Sequence, residues 1–393
     1  MHDALVVGGG PIGSHVACKL AEMGHKVLLL EQRQRLGGQV CCSGIISQEC
    51  FSSFAIDNSV VLRRANSARM FSPSGRLIRL WRPQNQVCIV DRAALDVAMA
   101  RRARAAGAEY ALNSMVKGLE VKGDRVVIAA THDGRRLNYE ARVVVIATGS
   151  GSRLADRLGL GKSGDFVMGA QAEVESRGID EVEVYLGQKV APGFFAWLVP
   201  TSAPRALVGL LSRRSPGPYL RKLLSLLKAQ GKIASGDEEL SYRRISLRPP
   251  TRTYAQRLIV VGDAAGQVKP TTGGGIYYGL LCAEIAARNL DRALEEDDLS
   301  ARSLGSYQRE WKKKLGRELR ISYWARKLYE RLSDRQIDRI FDIITANGID
   351  EALLRADDLS FDWHGRAILR VTGQSVLSRA FAAMKIPFHI GPG

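Results

Sequence analysis

The chain has 393 residues, of which 46% are hydrophobic, and a formal net charge of +17. This length predicts two or three structural units. The sequence has no long apolar run and no leader-like start, so we expect neither a membrane helix nor a signal peptide. We therefore expect a cytoplasmic protein. The charge is typical of proteins that bind nucleic acid, anionic lipid or phosphorylated substrates, or of a solvated basic face; without a nucleic-acid-binding motif, we expect no nucleic acid partner.

The cysteine pattern gives no sign of a metal centre. Six cysteines are present: Cys18, Cys41, Cys42, Cys50, Cys88 and Cys282. They lack paired CxxC spacing, and the six histidines are scattered, so we expect no zinc or iron–sulfur site. Thiols that stay reduced fit this pattern best.

The N-terminal segment has the order of a dinucleotide-binding unit. A short buried strand, Ala4–Val7, precedes three glycines in G-x-G-x-x-G spacing. These are Gly8, Gly10 and Gly13. A helix and a second strand, Lys26–Leu30, follow and end at Glu31. This order supplies a tight turn, a close approach to a pyrophosphate, and a carboxylate that can bind a ribose hydroxyl.

A second glycine match occurs at Gly159–Gly164, but it does not follow a strand. The preceding stretch, Arg153–Leu158, is polar and helical in pattern, so we interpret the match as a loop. The chain then carries one dinucleotide site. That favours tightly bound FAD over a paired FAD and NADPH architecture, and it leaves the electron donor unassigned.

Two adjacent cysteines, Cys41 and Cys42, lie in a predicted loop after the ribose-binding strand. They are either small fillers or cofactor neighbours, and both interpretations stay open. Further along, Asp91 is a plausible N-cap of a helix that ends near Gly107, and Arg92 in its first turn is placed to reach a pyrophosphate. Strands are predicted at Val126–Ala129 and Val143–Ile146.

Two strand-like stretches, Val60–Trp81 and Phe166–Leu211, predict an inserted antiparallel sheet that forms the far wall of the site. Within it, the period of two places Phe195 and Trp197 on one face. Such a pair is compatible with plain sheet core, but the bracketing prolines of Pro192–Pro200 favour a specific closed segment.

The segment Leu258–Gly279 combines a buried strand with a glycine-rich turn. Asp263 follows the strand and is placed to accept hydrogen bonds from a polyol. Gly273–Gly275, with Gly274 at its centre, offers N–H groups to an electron-rich ring edge. We expect a cofactor to lie flat against this surface.

From about Arg288 the chain is helical and basic, with a broadly helical apolar stripe. The stripe is Trp311, Leu315, Leu319, Trp324, Leu328 and Leu332. It either packs on the body of the protein or touches a membrane surface, and core packing is the favoured alternative.

The sequence therefore predicts an α/β fold with three parts. These are a discontinuous Rossmann-like FAD-binding domain (1–58, 84–164 and 254–290), an inserted antiparallel β-sheet substrate domain (59–83 and 165–253), and a C-terminal helical region (291–393).

These motifs together resemble the geranylgeranyl reductase family of flavoproteins, within the p-hydroxybenzoate hydroxylase-like FAD superfamily. The resemblance rests on the glycine motif with Glu31, on Cys42-Ser43-Gly44, on Asp91-Arg92, on GDAAG at 262–266 and on PTTGGGI at 270–276. Pro192–Pro200 is similar to the family segment P-x-x-Y-x-W-x-F-P. Phe195 and Val199 depart from it, so a role of the family tyrosine hydroxyl does not transfer.

The resemblance implies FAD as the cofactor. Together with the glycines of the N-terminal motif and of the glycine run, the residues implied to bind FAD are Gly8, Gly10, Gly13, Glu31, Cys42, Ser43, Gly44, Arg92, Val116, Asp263, Gly274, Gly275 and Ile276.

It also implies reduction of carbon–carbon double bonds in a geranylgeranyl or other polyprenyl chain, borne by a lipid, quinone, chlorophyll precursor or diphosphate. Reduced flavin gives a hydride, and a proton completes the reaction. Phe195 and Trp197 would stabilise the positive charge that develops on a tertiary carbon, by cation–π attraction of about 2 kcal/mol. Cys42, Tyr277 or Tyr278 would lie near the proton route.

Two other functions stay open. A flavin-dependent halogenase or monooxygenase has the same fold, and Phe195–Pro200 is close to the halogenase segment W-x-W-x-I-P, although we place no lysine for halogen transfer. A non-catalytic flavin-bearing lipid-binding protein is the third interpretation.

The expected partners are the isoprenoid or prenyl-lipid substrate, an electron donor of NAD(P)H or ferredoxin-like type, and an anionic membrane surface, on which the protein would be peripheral at the inner face of the cell membrane. The arginines expected to meet a phosphate head group or that surface are Arg213, Arg214, Arg243, Arg244, Arg248 and Arg252.

Overall fold

A computed structural model describes residues 1–38, 40–150, 154, 159–161, 164–234, 236–348 and 360–373. The strands are β1 His2–Val7, β2 Val27–Leu30, β3 Ile45–Ser47, β4 Val61–Ala65, β5 Ser67–Phe71, β6 Leu77–Trp81, β7 Val87–Val90, β8 Glu109–Ala111, β9 Ser114–Lys122, β10 Arg125–His132, β11 Arg135–Ile146, β12 Phe166–Glu175, β13 Val182–Leu186, β14 Phe195–Pro200, β15 Arg205–Ser212, β16 Ser241–Ser246, β17 Tyr254–Ala255 and β18 Leu258–Val260. The helices are α1 Pro11–Glu22, α2 Gln48–Ser53, α3 Arg92–Ala105, α4 Pro216–Ala229, α5 Ile276–Glu295, α6 Ala301–Glu330, α7 Asp334–Ala346 and α8 His364–Gly373.

The first sheet has the order β17-β18-β11-β1-β2-β8, with all pairs from β18 to β8 parallel. Its central strands are apolar on both faces because both faces are covered. Helices α1, α3, α5 and α6 cover one face, and an antiparallel layer formed by β9 and β10 covers the other. The predicted α/β architecture is confirmed.

Several predicted elements are confirmed with shifted ends. The strand predicted at Val143–Ile146 is the last third of β11, which begins at Arg135 and pairs with β10 in a hairpin. The small residues around Asp263 form a 3-10 turn, Gly262–Ala265, which ends at Gly266 with a φ of +63°. The left-handed Gly266 ends this turn, and α5 begins at Ile276 after the glycine run.

The inserted sheet has seven strands in the order β16-β12-β15-β14-β13-β5-β6. Every pair is antiparallel except β13 with β5. The stretch Val60–Trp81, predicted to belong wholly to this sheet, divides between two sheets. Its first strand, β4, pairs with β7 in a three-stranded sheet, and only β5 and β6 join the inserted sheet.

Helix α6, in the C-terminal region, packs on the first sheet through the predicted stripe. Trp311, Leu315 and Leu319 are buried, whereas Trp324 is 56% exposed and departs from the stripe. The buried Tyr307 hydroxyl accepts a hydrogen bond from Gln267 and donates one to the carbonyl of Val260. This network fixes the turn that follows β18.

In the described part of the chain, no helix combines the length and apolar character needed to cross a bilayer. The prediction for Arg153–Leu158 lies outside the described residues except at Leu154, and the prediction of helix for 374–393 also lies outside them.

Candidate functional site

A cavity of about 1260 Å³ lies between the first sheet and the inserted sheet. This exceeds the roughly 300–1,000 Å³ of ordinary small-molecule pockets, so it can hold more than one ligand. The predicted residues that line it are Gly8, Gly10, Glu31, Cys42, Ser43, Arg92, Val116, Asp263, Gly274, Gly275, Ile276, Phe195, Trp197 and Tyr277. The structure thus brings together residues that are far apart in the sequence.

The other two predicted residues, Gly13 and Gly44, pack against backbone behind the wall. A Cβ on Gly13 would lie 2.0 Å from the carbonyl oxygen of Gly8, so this glycine lets α1 approach the turn after β1. A Cβ on Gly44 would lie 2.3 Å from the carbonyl oxygen of Val90. Their role is to bring neighbouring backbone close to the cavity.

Glu31 lies at the end of β2 and holds the glycine turn. The Gly9 N–H donates to Oε2 at 2.7 Å, and the Arg33 N–H donates to Oε1 at 2.9 Å. Each carboxylate oxygen has a second lone pair, so the side chain can still accept hydrogen bonds from hydroxyl groups in the cavity.

The start of α3 presents a cation to the same end of the cavity. Asp91 caps the helix by accepting from the N–H groups of Ala93 and Ala94, as predicted. Arg92 donates to Asp96 at 2.8 Å through one guanidinium nitrogen, while its Nε and the Thr148 hydroxyl are buried without a hydrogen-bond partner among the described residues. These two free polar groups fit the phosphates of a dinucleotide, because a buried polar group is normally satisfied.

An ion pair between Arg243 and Asp263 joins the inserted sheet to the turn after β18. The Asp263 carboxylate raises the pKa of Arg243, and burial opposes this effect. Arg243 lines the cavity, and Arg213 pairs with Asp165 and Glu330. The expected contact of these arginines with a phosphate head group or a membrane leaflet stays a prediction.

Phe195 and Trp197 extend from β14 into the cavity wall, as the period of two predicted. Their ring centroids lie 6.1 Å apart in an edge-to-face arrangement. The strand register places apolar side chains of the next three strands on the same face. These cavity-lining residues are Val182, Val184 and Leu186 on β13, Ala68 and Met70 on β5, and Leu80 on β6.

Of the three groups predicted near a proton route, Cys42 and Tyr277 line the cavity and Tyr278 does not. The Tyr277 hydroxyl donates to Glu49, and the Tyr278 hydroxyl donates to the carbonyl of Asp362 at 2.7 Å. Burial and the Glu49 carboxylate raise the pKa of Tyr277. The structure therefore holds both tyrosine protons away from the cavity.

The segment 360–364 also lines the cavity, which no sequence pattern indicated. The Lys269 ammonium, next to the glycine run, donates to Asp362 Oδ1 at 2.7 Å, and both side chains are at most 5% exposed. The Thr271 hydroxyl and His364 Nδ1 form a hydrogen bond of 2.5 Å. Burial and the nearby Lys269 ammonium lower the pKa of His364 to about 4.

Comparison with known proteins decides the family. The FAD dependent oxidoreductase family matches residues 3–159. A digeranylgeranylglycerophospholipid reductase of Methanocaldococcus jannaschii is 32% identical over 89% of this chain and 93% of that protein. The chain belongs to the digeranylgeranylglycerophospholipid reductase family. A second family member, from Methanopyrus kandleri, is 30% identical over 99% of both chains. The expected resemblance and the FAD cofactor are thereby confirmed.

Solved structures share the fold of this family. A geranylgeranyl bacteriochlorophyll reductase-like protein of Thermoplasma acidophilum superposes with a TM-score of 0.85, at 24% identity over 98% of both chains. The myxobacterial FAD-dependent halogenase CndH has a TM-score of 0.65 at 17% identity, over 98% of this chain and 90% of that one. The halogenase likeness concerns the fold alone.

The buried ion pair generates a stability prediction. Asp362→Leu should lower the free energy of unfolding by about 3–5 kcal/mol, because it leaves the Lys269 ammonium buried and unpaired. Lys269→Met combined with Asp362→Leu should recover most of that loss, since neither charge then remains.

Urea denaturation of the FAD-loaded protein measures both effects. The control is Glu173→Ala, which breaks an exposed pair with Arg205 and should cost less than about 1 kcal/mol. A double variant no more stable than Asp362→Leu alone would show that the segment is held by something other than charge pairing.

Proposed function

We propose that this protein is an FAD-dependent reductase that saturates carbon–carbon double bonds in the geranylgeranyl or other polyprenyl chains of a lipid. The observation that carries the proposal is the apolar face of the inserted sheet. This face runs from β15, beside the cofactor-binding turns, to the edge strand β6. Four spacings of ~4.8 Å between neighbouring strands give it a width of about 19 Å. A long hydrocarbon fits this surface, and the names of the relatives agree.

The residues at the nucleotide end hold the cofactor in this proposal. Gly8, Gly10 and Glu31 would hold the dinucleotide, Arg92 would pair with its phosphates, and Asp263 would accept from its polyol. The N–H groups near Gly274 and Gly275 would serve the electron-rich part of the ring. When bound and reduced, FAD supplies the hydride.

Phe195 and Trp197 act on the alkene. Their rings exclude water and stabilise positive charge on the tertiary carbon, which an isolated alkene cannot delocalise. Cys42 lies on the cavity wall in the loop held by Gln171, whose amide donates to the Cys42 carbonyl at 3.2 Å. We assign the delivery of the proton to this loop, because the hydroxyl of Tyr277 is engaged by Glu49.

The halogenase alternative is not favoured by the site. Its chemistry needs a free lysine amine near the cofactor. Of the two lysines that line the cavity, Lys269 pairs with Asp362 at 2.7 Å and Lys117 donates to the sulfur of Met115 at 2.9 Å. The electron donor, of NAD(P)H or ferredoxin-like type, belongs to the proposal without a binding surface assigned to it.

An anaerobic turnover experiment tests the proposed function. Dithionite-reduced protein is mixed with digeranylgeranylglycerophospholipid, and the molecular mass of the extracted lipid is measured by mass spectrometry. The product should gain two mass units for each reduced bond. Recovery of unchanged lipid, together with chloride-dependent halogenation of an aromatic substrate in air, would contradict the proposal.

Two substitutions should separate chemistry from cofactor binding. Trp197→Ala should lower alkene reduction by more than about 30-fold, the factor that ~2 kcal/mol of cation–π attraction represents, and should leave bound flavin unchanged. Glu31→Ala should instead release flavin, because the glycine turn and the ribose both lose their acceptor. Flavin content is read from absorbance after gel filtration. Unchanged turnover in Trp197→Ala would remove the indole from the chemistry.

We also propose peripheral contact with an anionic membrane surface through one face of α6. Lys313, Arg317, Arg320 and Trp324 follow at intervals of four, three and four residues, and Trp324 is 56% exposed. This face places an aromatic ring beside cations, as at lipid interfaces.

Flotation with vesicles at low salt tests this contact. Anionic vesicles should bind the protein and neutral ones should not, and Lys313→Glu with Arg317→Glu should abolish binding because each basic residue contributes about 1 kcal/mol. Arg136→Glu, on the exposed start of β11, is the charge-matched control. Equal binding to both kinds of vesicle would overturn the proposed contact.

A further inference from the structure

A glycine lies directly beneath the aromatic wall. In the pairing of β14 with β15, Trp197 is opposite Gly209, so a side chain at position 209 would point to the same face as the indole. Gly209 is buried and does not line the cavity itself, whereas Trp197 does. The indole thus lies between this glycine and the cavity.

The space that a Cβ at position 209 would need is filled by the indole ring. An added Cβ would be 2.5 Å from Cζ2 and 2.7 Å from Cε2 of Trp197, and 2.9 Å from the carbonyl oxygen of Ala170. Carbon atoms in van der Waals contact are about 3.5–4.0 Å apart. The ring therefore packs directly on the backbone of Gly209, and any larger residue must displace it.

The polar edge of the ring is turned into the protein. Trp197 Nε1 is buried and has no hydrogen-bond partner within the described residues. Because Nε1 is bonded to Cε2, the same edge that touches Gly209 carries the N–H group. The carbon atoms of the indole therefore face the cavity, and such a surface suits a hydrocarbon.

We propose that Gly209 is a positioning residue that sets how far the Trp197 ring projects into the cavity, and so determines whether a branched prenyl chain can pass the wall. The inference rests on the proposed function. Its physical basis is that the sheet closes one side of the ring, so that displacement from Gly209 moves the ring into the space that the substrate needs.

Gly209→Ala should therefore weaken binding of a prenyl chain by about 5- to 150-fold, the range to which ~1–3 kcal/mol of overpacking corresponds, with flavin content unchanged. The measurement is the dissociation constant of a fully saturated phytanyl-chain phospholipid, titrated into the FAD-loaded protein. This probe requires no turnover. Gly118→Ala, in β9, is the matched control, because its Cβ would meet nothing within 4 Å.

Combining Gly209→Ala with Trp197→Phe tests whether the effect passes through the ring. The smaller ring vacates the space that the new methyl group occupies, so the double variant should recover lipid affinity to within about three-fold of Trp197→Phe alone, on the usual scale of additivity errors. Without recovery, strain at Ala170 or elsewhere in the sheet would explain the loss, and the proposal would be overturned.

A spectroscopic readout separates this inference from the proposed function. The indole N–H resonance of Trp197, assigned through Trp197→Phe, should shift in Gly209→Ala and stay in place in Gly118→Ala. An unmoved resonance would contradict the positioning role even if the protein reduces prenyl lipids. A shifted resonance in a protein that leaves prenyl lipids unchanged would uphold the packing and reject the function.

Discussion

The ion pair between Arg243 and Asp263 is the contact on which the site depends. Asp263 belongs to the turn that follows β18 in the first sheet, and Arg243 lies on β16 of the inserted sheet. Breaking this pair would leave the largely buried Asp263 carboxylate without its counter-ion, which is costly. The pair therefore helps to hold the two sheets on either side of the cavity.

That separation gives the two sheets different chemical roles. The first sheet ends in turns rich in glycine and in polar groups that are free to accept or donate, as at Glu31 and Thr148. The inserted sheet presents one face whose alternate residues are apolar from β14 to β6. Because strand side chains alternate between faces, this apolar surface arises without disturbing the covered opposite face. A polar cofactor and a hydrocarbon can thus meet at the shared edge.

Much of the fold and of the site could be predicted because the sequence patterns that indicate them are local. The glycine spacing with Glu31, the cap at Asp91 and the alternation at Phe195 and Trp197 each depend on residues within one element and its turns. The contacts that sequence reasoning missed join distant parts of the chain. Gln171 is 129 residues from Cys42, and Lys269 is 93 residues from Asp362. The carboxylates that pair with Arg213 and Arg243 lie in turns and on α6, far along the chain from each arginine. Trp324 departs from the stripe because it follows Leu319 by five residues, and α6 buries Ser322 and Arg326 there instead.

The central claim is that one cavity brings bound flavin and a prenyl chain into contact, with water excluded. Anaerobic stopped-flow absorbance tests it directly. When the reduced holoprotein is mixed with digeranylgeranylglycerophospholipid, the absorbance of oxidised flavin should return, with one flavin oxidised for each double bond lost. A flavin that stays reduced in the presence of this lipid, and reoxidises only when oxygen is admitted, would contradict the account.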